Sequence, residues 1–98
     1  MRMDEFDPQV LRDARNEAIQ KFNAHLYECV KKEFEAAKEE GRLRLQFILN
    51  GDRPGHTTIK TRDFMRTSDV VEKLEFILGS RYHILTTGEY IDASISSS

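Results

Sequence analysis

His25 and Cys29 stand four residues apart, a spacing that on a helix puts an imidazole and a thiol on one face. Such a pair could supply two ligands to a transition metal, or a thiol with its base. Two ligands do not close a metal site, and only His56 and His83 remain as nitrogen donors. Cys29 also falls on an apolar stripe, where a free cysteine behaves as a small hydrophobe. The pair is therefore expected to be structural, with no metal and no cofactor. Glu28 and Glu33, close by, read as a solvated helix face. Asp63, Asp69, Glu89 and Asp92 include no pair placed as general acid and base. In Arg53-Pro54-Gly55-His56, glycine could let the backbone approach a phosphate, but no Walker loop or dinucleotide fingerprint is present. The stretch reads as a rigid turn. No motif names a reaction, and the chain is read as non-enzymatic.

Charge is more informative than any motif. The 98 residues hold 15 basic and 17 acidic side chains, a net charge of −2. Residues 1–40 are net acidic and so are 67–98, whereas 42–66 carry Arg42, Arg44, Arg53, Lys60, Arg62 and Arg66 against Asp52 and Asp63. Arg42-Leu43-Arg44-Leu45-Gln46-Phe47-Ile48-Leu49 alternates as a half-buried strand does. Turn formers fill Asn50 to His56, and Thr57 to Arg62 is β-branched and alternating, so a return strand and a β-hairpin are expected. On that reading Arg42, Arg44, Lys60 and Arg62 share the outward face, with Arg53 at the tip. Arginines on a two-stranded ribbon suit phosphate oxygens, which makes nucleic-acid backbone the leading expected ligand. An acidic protein surface is a second candidate partner. A sheet face that is merely solvated accounts for the same charges.

These residues need elements to position them. Asp7 is suited to cap a helix that begins at Pro8, no Gly or Pro interrupts Gln9 to Glu40, and Gly41 ends it. Leu11, Ala14, Ala18, Phe22, Leu26, Cys29/Val30, Phe34 and Ala37 form one stripe at helical period. Such a helix is roughly 50 Å long, against a diameter of about 33 Å for a compact chain of this size. Unless it kinks near Ala24-His25 and folds back, it overhangs its domain. A homo-oligomer, with a dimer favoured, is then expected through Leu11, Ala18, Phe22, Leu26 and Val30. A protein-interaction or inhibitor module docking through that stripe is the alternative function.

A second helix is expected from about Asp69 to Leu78, capped by Thr67 or Ser68, with Val70, Val71, Leu74, Ile77 and Leu78 inward. Tyr82–Thr86 and Tyr90–Ile95 read as a second hairpin. Phe76, Tyr82 and Tyr90 are expected to pack in the core or on the sheet. The order α-β-β-α-β-β implies one small α+β domain over 1–98, an antiparallel sheet with helices on one face, frayed at 1–6 and 96–98. The longest apolar runs are three residues, which excludes a membrane-spanning helix. The single cysteine and the absence of an export signal favour an intracellular site, cytoplasm or nucleus.

Overall fold

The structure is a computed structural model and describes residues 6–96. Apart from Phe6 and Ser96, the ends expected to fray lie outside the described residues. Helix α1 spans Pro8–Glu40. Asp7 caps it, its side chain accepting the Gln9 N–H at 2.9 Å. Gly41 stops it in the left-handed region at φ 71°, its N–H bonded back to the last turn. Glu17 pairs with Lys21 on its surface, and Glu28 with Lys31. The helix does not fold back, and the molecule measures 62 × 28 × 23 Å. Its first fully buried residue is Phe22; Ala18 and Ile19 are half-buried and Arg15 meets Phe64, so Pro8–Ala14 project roughly 10 Å beyond the rest of the fold.

Strand β1 covers Arg44–Leu49 and β2 covers Thr57–Ile59. Helix α2 covers Thr67–Leu78, followed by a 3₁₀ turn at Gly79–Arg81. Strands β3, Tyr82–Thr87, and β4, Tyr90–Ile95, form the second hairpin as expected. Arg66, not Thr67 or Ser68, is the N-cap residue of α2, with its N–H donated to the Asp69 carboxylate. The strand order is β2-β1-β4-β3. Both helices pack on one face, over Leu45, Phe47, Leu49, Ile59, Ile91 and Ala93. The class is α+β.

The first hairpin is not formed, and the sheet is mixed. β1 and β2 run parallel, with Phe47 opposite Thr57 and Leu49 opposite Ile59. The turn formers do not reverse the chain once; they carry it back over the sheet to re-enter in the same direction. Asn50 starts this at a positive φ of 56°. Its side chain then holds Thr61 by two hydrogen bonds, accepting the Thr61 N–H at 2.9 Å and donating to its hydroxyl at 2.7 Å. Gly51 lies on the Ile48 side chain, where a Cβ would come within 2.8 Å of Cδ1, so the connection covers Ile48 on the face away from the helices. Three paired residues need little return travel, which is why so short a connection suffices.

Gly41 has open space around it, so only its backbone conformation resists substitution. Gly41→Ala is expected to cost about 1 kcal/mol. The check is a lower denaturant midpoint at unchanged slope.

Candidate functional site

The expected basic face is dispersed. Arg42 precedes β1 and turns back to the helix side, where its guanidinium donates to Glu33 at 2.8 Å and to Glu40 at 2.6 Å. Those bonds, the one to Glu33 foremost, hold it above its ordinary pKa. The acidic helix it meets is the chain's own α1. Arg44 lies on the open sheet face, 3.6 Å from Asp92. Arg53 donates to the Tyr90 hydroxyl at 3.1 Å and stacks over that ring, with His56 against the ring's edge. Lys60 and Arg62 lie beyond β2, which ends at Ile59, near the opposite end of β1 from Arg44. Only Arg44 and Arg53 share the open face.

Glu33 is the residue whose placement the sequence conceals. It is not solvated: it is 2% exposed, beneath the β1–β2 edge. One carboxylate oxygen accepts the Thr57 hydroxyl at 2.8 Å, and the other accepts Arg42 and the Gln46 backbone N–H at 2.9 Å. Gln46 needs this acceptor because β2 reaches only as far as Phe47. One helical turn earlier, Cys29 donates its thiol to the Thr58 carbonyl at 3.4 Å. A turn before that, His25 Nε2 accepts the Lys60 N–H at 3.1 Å, a bond that needs the neutral ring protonated on Nδ1. His25, Cys29 and Glu33 therefore form a polar ladder along α1 that occupies the outer edge of β2. Edge groups left open would invite another strand.

The His25–Cys29 pair accordingly serves the edge of the sheet. Among the described residues no three His, Cys, Asp or Glu side chains gather as a metal cluster. Burial raises the Cys29 pKa above a thiol's ordinary value, Lys32 opposing and Glu28 adding. That keeps it a thiol and a poor nucleophile at neutral pH.

A concave surface lies elsewhere, between α1 and α2. It is a groove of about 870 Å³ with Leu26 at its floor and Ile19, Tyr27, Phe64, Phe76 and Ile77 among its walls. Phe76 is not a core aromatic; it is 91% exposed. Asp69, Glu72 and Glu75 line the groove, against Lys73 and Arg15. Arg15 sits over the Phe64 ring at 4.8 Å.

Of the helix residues expected at an oligomer interface, Phe22, Leu26 and Val30 are consumed by the chain's own core. Ala18 is half-buried and Leu11 is 74% exposed. Val10 and Phe6 beside Leu11 are exposed as well. No helix of the described residues is long and apolar enough to cross a membrane. Comparison with protein-family models, curated proteins and solved structures finds no match to this chain.

Glu33→Gln removes the charge from a carboxylate that serves three donors. A loss of about 2–3 kcal/mol is expected, below the range for a fully buried pair because Arg42 keeps some water and Glu40. Glu40→Gln, on the exposed side, should cost well under half as much; equal losses would argue against a special role for Glu33. For Cys29, alkylation by iodoacetamide at neutral pH is expected to be slow in the native protein and fast in denaturant. With the folded pKa raised, the thiol's contribution to stability is present at neutral pH and lost as pH climbs through the alkaline range. Equal alkylation rates in the two states would contradict the edge contact.

Proposed function

We propose that this chain is a small non-enzymatic protein-interaction module that docks an amphipathic helix of another protein in the α1–α2 groove. The carrying observation is Phe76, almost wholly exposed beside Tyr27, Ile19 and Phe64. Contiguous apolar surface of this kind marks interaction sites on soluble domains. A helix laid in such a groove buries residues at i, i+3, i+4 and i+7. The excess of acidic residues along the groove favours a partner with basic flanks. The projecting first turns of α1, with Leu11 and Val10, extend the apolar surface past the groove's end.

Nucleic-acid backbone binding is the lesser reading. It rests on Lys60 and Arg62, which make no ion pair with another described residue, and on Arg44 and Arg53 sharing the open sheet face. Against it stand the acid partner of Arg44 and the distance separating these groups along β1.

The test uses a labelled three-heptad helical peptide with leucine at its a and d positions and lysine on its flanks. Micromolar binding is expected, at least about tenfold weaker with glutamate flanks, a difference of roughly 1.4 kcal/mol. Phe76→Asp should abolish it. Absence of binding, or binding indifferent to Phe76→Asp, overturns the groove reading. Duplex and single-stranded oligonucleotides titrated across a salt series form the second arm. Salt-dependent binding lost in Arg44→Glu with Arg62→Glu would favour the nucleic-acid reading instead.

A further inference from the structure

The groove between α1 and α2 has two unlike ends, and the strand directions define them. β1 and β2 run parallel, and β1 and β3 both run antiparallel to β4, so these three strands point one way. α1 enters β1 through the turn at Gly41, and α2 carries the chain from β2 back to the start of β3. Both helices therefore run against those strands and parallel to each other. Side-chain neighbours agree. Arg15 meets Phe64 ahead of α2, and Tyr27, about three turns further along α1, shares the groove with Phe76 and Ile77 near the end of α2. The two ends lie roughly 18 Å apart.

Charge is split between them. Arg15 lies over the Phe64 ring at 4.8 Å, bridging α1 to the lead-in of α2, and makes no ion pair with another described residue. A guanidinium laid flat on a ring keeps its in-plane N–H groups for other acceptors. Toward the other end Glu72 and Glu75 are exposed beside Phe76, with no described cation paired to them. Lys73 lies between the ends, and Asp69, nearer Arg15, accepts the Arg66 N–H at the start of α2. The dipole of α2 acts in the same sense, positive toward Phe64 and negative toward Phe76.

From this we infer that the docked helix runs antiparallel to α1 and α2 and ends at Arg15, which recognises its C-terminal turn. The inference rests on the groove reading proposed above and adds a direction and a stop to it. The last carbonyls of a helix have no partner within it and carry partial negative charge. Arg15 offers them donors. The first turn, with unbonded N–H groups and partial positive charge, then lies at Glu72 and Glu75, where basic side chains are favoured as well. In the reverse direction unbonded N–H groups would face a guanidinium, which has no acceptor to give, and unbonded carbonyls would face carboxylates. The span between the ends holds about twelve residues of helix. The partner segment is thus a short amphipathic helix, basic at its start and acidic in its last turn.

The test uses an amidated two-heptad peptide, cut to the span of the groove, with leucine at its a and d positions and lysines spread evenly. It carries a nitroxide on a cysteine near one end or the other and is added to the isotope-labelled protein. With glutamine in the last turn, so that no added charge imposes a direction, a C-terminal nitroxide is expected to broaden the Met65 amide more than the Ile77 amide, and an N-terminal one the reverse. Glutamate in place of that glutamine should tighten binding at least about threefold. Arg15→Gln, at an exposed position, keeps a side-chain donor and loses the charge, and should remove that gain. Broadening in the opposite sense or equal at both amides, or a gain from glutamate that survives Arg15→Gln, overturns the direction and leaves the groove reading standing. Failure of both peptides to bind overturns the groove reading and this inference together.

Discussion

A single buried carboxylate decides how this sheet is put together. Glu33 reaches from the last third of α1 to Arg42, to the Gln46 N–H and to the Thr57 hydroxyl. These groups must lie within one carboxylate's span. In a hairpin, Thr57 would sit across from the far end of β1, about 10 Å from Gln46. It could not then share Glu33, and the Gln46 N–H and the carboxylate would each lose a partner in the interior, an expensive outcome. Parallel entry of β2 at the level of Phe47 satisfies all of them together. The mixed sheet and the position of Arg42 follow from that one group.

The same flank of the helix continues the work. His25, Cys29 and Glu33, each a turn apart, finish off the border of the sheet that β2 leaves. The two side chains at ligand spacing in the sequence make hydrogen bonds to the Thr58 carbonyl and the Lys60 N–H in the fold. The opposite flank of α1 meets α2 incompletely, and the uncovered apolar surface lies there. One flank of the helix is thus committed to the sheet and the other is left short of cover.

Much of the fold is legible in the residues because its signals are local. Asp7-Pro8 and Gly41 bound the long helix, and strict alternation bounds β4. The second helix followed its stripe. Strand direction was not legible. Asn50 to Gly55 announces turns, but nothing in the turn chemistry says whether the chain reverses once or re-enters, because a long-range group, Glu33, makes that choice. Glu33 itself reads as surface: a glutamate among lysines and glutamates carries no mark of burial. Phe76 is different. It falls off the stripe of Val70, Leu74 and Ile77, so periodicity alone places it outward, and only its aromatic character suggested the core. The basic residues were legible as a cluster in sequence but not as a dispersal in space, since that required the correct strand pairing.

The part of α1 before Arg15, exposed throughout, belongs to the fold by continuity alone. Few tertiary contacts hold its coils, so their persistence depends on chain propensity and on the capped start, which for an isolated stretch of this length is marginal. The portion after Phe22 opens only with the sheet it is clamped to. One uninterrupted helix thus contains two regimes of hydrogen exchange: a fast tip that frays from Asp7 inward, and a slow stem whose protection tracks global unfolding.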